Sequence, residues 1–186
     1  IMNLRRSKPL FAFLTMIAIL VTSVGAFALE RAADGQYHTG ATVRKKRFIV
    51  LVDVYALGHM MKELPAQPTI QGVIDADVDK TFVLQMLRGV SGEKMTSAIG
   101  DAFKANGYAD AARIAKFTAV FGEEVANKTT IRISYNAASK TTTASVSGGK
   151  TATIDGDAFM KAMWSCFLKN PDQPSMGPDL ISKLKR

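Results

Sequence analysis

The side chains best placed to do chemistry together are Arg44 and Tyr55. Arg44 heads a run of four basic residues, Arg44 to Arg47. Tyr55 follows eleven residues later, inside the apolar segment Phe48 to Leu57, where it and Asp53 are the only polar side chains. A segment so rich in Val and Ile reads as a strand buried on most of both faces. A guanidinium where that strand begins and a phenol further along it describe an apolar cleft with a polar end. Such an end suits an anion, for example a carboxylate carried on an apolar tail. Asp53, an acid within the apolar segment, must be paired or lie at an edge, and a nearby Lys or Arg is its expected partner.

The other reactive residue types form weaker constellations. His38 and His59 show no metal-ligand spacing and read as surface or hydrogen-bonded side chains. Ser91-Gly92-Glu93-Lys94 matches the Ser-x-x-Lys pattern of penicillin-binding enzymes, but the partner motifs are absent, and a serine ahead of a helix reads as its N-cap. Gly149-Lys150-Thr151 looks like the end of a phosphate-binding loop, yet Ala144 stands where the leading glycine is needed and a strand follows. Asp75, Asp77 and Asp79 open like a calcium loop, but Lys80 and Met86 occupy the positions that require glycine and a bidentate acid. Cys166 is the only cysteine, so an internal disulfide is impossible, and its apolar surroundings mark a buried thiol. No cofactor or metal is expected.

The elements that must position Arg44 and Tyr55 follow from hydrophobic period. A short strand is expected around Tyr37 to Val43, ahead of the long one, and His59 to Pro68 reads as a connection because of Pro65 and Pro68. Thr69 to Ile74 reads as a short strand. Thr81 to Val90 alternates, with Phe82, Leu84 and Met86 on a fully apolar face. Ser91 to Gly107 changes to a helical period through Met95, Ile99 and Phe103, with Glu93 in the first turn and Gly107 at the end. A second helix spans Asp110 to about Phe121. Thr129 to Tyr135, Lys140 to Ser147 and Lys150 to Ile154 read as strands, the last two joined through Gly148-Gly149. Asp157 to Leu168 is a helix apolar almost all round, hence buried between layers. Pro178 to Arg186 reads as a short final helix. Strands and helices are segregated, which argues for an α+β fold with a mostly antiparallel sheet and helices on one face.

Length and composition agree with one domain. The chain has 186 residues, 47% of them hydrophobic, and a formal net charge of +8. Residues 1–28 stand apart. Arg5, Arg6 and Lys8 precede the apolar run Leu10 to Val24, and Ala26 and Ala28 give a small-x-small pattern before Leu29. This reads as a secretory signal peptide, leaving a domain over residues 29–186 that is exported, periplasmic or secreted, and has no stable membrane span once the signal is cleaved. Losing those three cations from 24 lowers the net charge to +5, against 16 acidic residues throughout. No aromatic-interleaved basic stripe is present, so nucleic acid is not the expected partner.

GATVRKK followed by VYALGHMM resembles the opening of the chalcone isomerase-like fold, in Ala41-Thr42-Val43-Arg44 and Tyr55-Ala56-Leu57-Gly58. Leu87-Arg88-Gly89 and Glu93-Lys94-Met95 look like that family's strand-to-helix junction over the cleft. Ile154-Asp155-Gly156-Asp157-Ala158-Phe159 and Trp164 resemble the closing segment of its bacterial exported members. The resemblance covers roughly residues 36–186. It implies an open-faced β-sandwich, a large antiparallel sheet against a helical layer with a ligand cleft between them.

What the resemblance implies about activity divides three ways. The enzymes of the family, which cyclise chalcones, match at Arg44. Their other polar cleft positions fall at Tyr55, near Ser91, near Ala98 and near Met163, where the matching groups are missing. The fatty-acid-binding relatives keep the arginine and a strand tyrosine, here Arg44 and Tyr55. An arginine fork grips a carboxylate at two points, and a phenol adds a third donor. The ligand-binding positions implied are thus Arg44, Tyr55, Ser91, Met95, Ile99 and Met163, with Phe103 and Met160 adding apolar wall. The expected function is non-catalytic binding of a fatty acid or similar small amphiphilic carboxylate. Two alternatives stay open: an interaction module whose cleft is filled by Phe159, Trp164 and Phe167, and a chalcone isomerase-type intramolecular lyase.

Overall fold

Alternation of apolar and polar side chains builds the sheet. The computed structural model describes residues 29–47 and 51–185. The expected signal peptide and Phe48 to Val50 lie outside the described residues. In chain order the elements are β1 (Tyr37–Arg47), β2 (Leu51–Met61), α1 (Ile70–Asp75), β3 (Lys80–Met86), β4 (Val90–Ser91), α2 (Gly92–Ala105), α3 (Ala111–Thr118), β5 (Glu124–Val125), β6 (Thr130–Asn136), β7 (Thr141–Val146), β8 (Thr151–Asp155), α4 (Asp157–Leu168) and α5 (Met176–Leu180). Six strands form one antiparallel sheet in the order β1-β2-β3-β6-β7-β8, and β4 and β5 pair separately. The fold is α+β.

Register sets the core. Leu57, Leu84 and Ile131 form one buried row across the sheet; His59, Phe82, Ile133 and Ala144 form the next. The opposite face carries Gln85, Arg132, Ser134 and Thr143, none of them buried, so one side of the sheet meets solvent. Helix α4 lies on the apolar face. Its Trp164 and Phe167 rings sit 5.0 and 4.8 Å from Phe82, and its Phe159 closes an aromatic cluster with Phe103 of α2 and Phe117 of α3.

A polar chain runs through this apolar layer. The Trp164 Nε1–H donates to His59 Nε2 at 3.0 Å, so that nitrogen carries no proton. The imidazole proton therefore sits on Nδ1 and donates to Thr39 Oγ1 at 2.6 Å. Thr39 in turn donates to the Leu180 carbonyl at 2.8 Å. Thr39 is the extra residue of a β-bulge, since His38 pairs with Met60 and Gly40 with His59. The chain ties β1, β2, α4 and α5 together. Gly40 completes the contact, because a Cβ there would fall 2.2 Å from the Asp179 carbonyl oxygen. The α5 segment thus covers β1, which would otherwise be an open sheet edge.

Four expectations need correction. His59 to Met61 are strand, not connection: β2 continues to Met61, and its deepest residues are Leu57 and His59 to Met61, while Leu51 to Ala56 are exposed or half-buried. The expected burial on both faces fails for that first half, where no residue from Leu51 to Ala56 is fully buried. Thr69 to Ile74 is mostly helix rather than strand. Its β-branched residues favour a strand, but Thr69 caps the Gly72 N–H, and the buried Lys80 amino group donates to the carbonyls of Val73, Ile74 and Ala76 at the other end. The last helix begins at Met176, not Pro178, and gives way to a 3₁₀ turn over Ser182–Lys185. Asp53 pairs with Lys45 at 2.9 Å, both exposed.

Burial lowers the His59 pKa from 6.5 to about 3, with the nearby Lys80 charge adding to the effect. Unfolded, the imidazole takes up a proton below its ordinary pKa; folded, it does so only far below. The unfolded state then binds more protons, and stability falls as pH drops through 6.5. Asp75 and Asp77, held below the usual carboxylate value of 3.8 first by hydrogen bonds from Gln71 and Lys140, destabilise only in stronger acid. Urea unfolding between about pH 6.5 and 4 is expected to show a falling midpoint for the native chain. The slope should flatten in His59→Gln, and an equal slope in both would remove His59 as its source.

Candidate functional site

Arg44 and Tyr55 are direct partners in the β1–β2 register. Arg44 pairs with Tyr55 and Lys45 with Asp53, so Val54 is the extra residue of a second bulge. A bulge turns consecutive side chains toward the same side. Val54 and Tyr55 both line one cavity of about 500 Å³. Arg44 and Lys46, two apart on β1, line it as well.

Helix α2 forms the facing wall. Ser91 is its N-cap, accepting from the Lys94 N–H at 3.4 Å. Met95 and Ile99, one turn apart, point at the cavity, with Ala98, Ala102 and Ala105 beside them. Phe167 and Cys166 of α4, Leu84 of β3 and Met176 of α5 close the apolar lining. The helix start is fixed by a close approach: the Gly92 N–H donates to the Glu123 carbonyl at 2.7 Å, and a Cβ on Gly92 would fall 1.8 Å from the Gly122 carbonyl oxygen.

The lining also carries charges. Arg44, Lys46, Arg88 and Lys94 contribute cations, and Asp101 and Asp172 contribute acids. Desolvation raises the pKa of the Tyr55 phenol well above its ordinary value; the Arg44 cation opposes this and the Asp172 charge adds to it. Tyr55 therefore stays a neutral hydrogen-bond donor. Burial pushes the Cys166 thiol up to about 12, so it is not a nucleophile at neutral pH.

Of the positions named from sequence, Arg44, Tyr55, Ser91, Met95 and Ile99 come together around this space. Met163 does not. It is fully buried on α4, as is Met160, and Phe103 is fully buried on α2, so these three belong to the core rather than to the cavity wall. Trp164 and Phe159 are core residues too, and Phe167 alone of the expected cleft-filling aromatics reaches the lining. Met163 shares a helix face with Cys166 and Phe167, three and four residues on, but lies one turn earlier along α4, and only the later turn reaches the cavity. Sequence reasoning missed Lys46, although a period of two from Arg44 marks it. It also missed Arg88, Lys94 and Asp172; only long-range packing brings Asp172, 128 positions from Arg44, to this site.

An antiparallel sheet with a helical layer on one face and a cavity beside a register-paired arginine and tyrosine defines an open-faced α+β sandwich. The chain belongs to the chalcone isomerase-like family, which it matches over residues 37–177. No curated protein matches it. Among solved structures, a fatty-acid binding protein of Arabidopsis thaliana is similar at a TM-score of 0.65 and 16% identity, over 82% of this chain and 90% of that one. At that identity the likeness establishes the fold. Among the described residues, no helix is long and apolar enough to cross a membrane.

The Gly92 contact yields a test of how the cavity wall is held. Gly92→Ala must push α2 off the Gly122 carbonyl, and a loss of about 1–3 kcal/mol is expected in chemical denaturation. Gly100→Ala, in the same helix with open space around it, should instead gain about 0.5–1 kcal/mol from helix propensity. Equal effects at the two sites would show that the close approach is not what fixes the wall.

Proposed function

We propose that this protein binds a fatty acid or a similar small amphiphilic carboxylate, without catalysis. The observation that carries the reading is the cavity itself: about 500 Å³, apolar along most of its lining, with Arg44 and Tyr55 paired on its wall. Ligand pockets of a few hundred cubic ångströms with a few convergent polar groups are the common form of small-molecule sites. Arg44 supplies the fork for a carboxylate, and Tyr55, kept protonated by burial, supplies a further donor. The tail would run along Met95, Ile99, Leu84 and Phe167. Each buried CH₂ gains about 0.8 kcal/mol, so an acyl chain of moderate length supplies most of the affinity. The similarity to a fatty-acid binding protein of the same fold supports the same ligand class.

Native mass spectrometry of the protein purified from cells, beside Arg44→Ala, checks this. Added mass matching acyl chains is expected in the native protein. In the variant, dodecanoate affinity should drop about tenfold or more, the loss of a charge-assisted hydrogen bond. A clean ligand-free mass that added fatty acid does not shift would overturn the reading.

The protein is further proposed to be exported, on the strength of the basic, apolar and small-x-small order in residues 1–28. Intact mass of protein recovered from the cell exterior or envelope should begin at Leu29; retention of the first 28 residues would refute cleavage there.

A further inference from the structure

Arg44 already holds a carboxylate. Its Nη2 donates to Asp172 Oδ2, and its Nη1 donates to the Lys45 carbonyl. The two partners of the ion pair are unlike in exposure. The Arg44 side chain is 13% exposed, and that of Asp172 is 71% exposed. Asp172 lies between α4 and α5, in the segment with Pro171 and Pro174. Its neighbour Gln173 fastens that segment to β1: the Lys45 N–H donates to Gln173 Oε1 at 2.9 Å, and Gln173 Nε2 donates to the Val43 carbonyl at 3.1 Å. Docked in this way, Asp172 reaches over the wall and lines the same cavity as Arg44 and Tyr55.

An aspartate carboxylate on Arg44 is chemically the same head group that a fatty acid would present there. Two carboxylates on one guanidinium repel each other, so an incoming anion must move Asp172 aside. The geometry names which partner gives way, because the guanidinium is packed in the wall and the aspartate is mostly in water. We propose that Asp172 occupies the head-group place on Arg44 in the ligand-free chain, and thereby sets how strongly the cavity prefers a carboxylate to a neutral head group on the same tail. This inference rests on the proposed binding of amphiphilic carboxylates.

The consequence is a difference between two ligands. A carboxylate entering the native protein exchanges one ion pair for another, so Arg44 adds less affinity than it would if Asp172 did not hold it. A neutral alcohol leaves the Arg44–Asp172 pair standing and binds by its tail alone. Without the Asp172 charge, the carboxylate gains a new ion pair and the alcohol gains almost nothing. Asp172 is thus a specificity-determining residue that levels the preference for anions and keeps an anionic ligand releasable.

The test compares dodecanoate and dodecan-1-ol, titrated by calorimetry into the native protein, Asp172→Ala and Asp172→Asn. Asp172→Ala should tighten dodecanoate roughly two- to fivefold, the range for an exposed ion pair. It should leave dodecan-1-ol unchanged, and Asp172→Asn should move the same way. The gain should shrink at 1 M salt, where the Debye length is about 3 Å. If the native protein binds dodecanoate and Asp172→Ala leaves it unchanged or weakens it, Asp172 is a bystander or a support for Arg44, and the inference fails alone. Equal tightening of acid and alcohol would mean that the segment merely blocks entry, which also overturns it. If the native protein binds neither compound, the proposed function falls and takes this inference with it.

Discussion

The neutral imidazole of His59 is the constraint on which the rest of this architecture turns. A helix as apolar as α4 has no intrinsic register on an apolar sheet face, since leucine-like surfaces slide past one another at little cost. The indole N–H of Trp164 removes that freedom. It is buried, it must find an acceptor, and His59 Nε2 is the one it finds. The same ring donates its one N–H, on Nδ1, to Thr39, and the Thr39 hydroxyl donates to the Leu180 carbonyl. One directional chain therefore fixes a helix against the sheet, a bulge in β1 and the segment that covers the sheet edge. Every donor in it is spoken for, which is why a charged imidazole does not fit: it would set a proton on His59 Nε2 against the indole N–H.

Once α4 is pinned at Trp164, its next residues, Cys166 and Phe167, are delivered to the end of the sheet where Arg44 and Tyr55 lie. Helix α2 is set by a different constraint, the contact of Gly92 with the turn at Gly122. Its Met95, Ile99 and Phe103 stripe packs inward, and Ala98, Ala102 and Ala105 run alongside. Small side chains on that flank leave room that leucines would fill. Tyr55 faces the same side as Arg44 because the two are register partners, and the bulge brings Val54 to that side as well, so both strands line the cavity.

Much of this was legible from periodicity. The alternation of Phe82, Leu84 and Met86, the helical spacing of Met95, Ile99 and Phe103, and the all-round apolarity of Asp157 to Leu168 each follow from how far apart neighbouring side chains fall on one face. The family likeness in the Arg44 and Tyr55 segments agrees with the match over residues 37–177. The failures have physical causes. Helix α1 exists because Lys80, a residue of the next strand, satisfies its carbonyls, and intrinsic propensity cannot foresee a distant donor. His59 read as part of a connection because two prolines follow it, but the strand ends only after its own hydrogen bonds are used. Met163 was placed in the cavity and lies in the core, because how far α4 extends along the sheet decides which turn of that face reaches the cavity, and periodicity gives the face but not the turn.

The Arg44–Asp172 pair shows why such a site resists reading from residue types. An arginine half-buried in an apolar wall cannot stay without a counter-charge, because desolvating a lone guanidinium costs more than the wall returns. A ligand-free protein must therefore supply an anion of its own whenever it keeps an arginine for a ligand. The supplied anion must be weak enough to be replaced. An exposed aspartate on a proline-flanked segment meets that condition: most of its hydration survives pairing, so little is lost when it returns to water. A buried aspartate would have made the pair permanent and the arginine structural. On the proposed reading, the exposure of Asp172, more than the identity of Arg44, is what lets the guanidinium exchange one carboxylate for another.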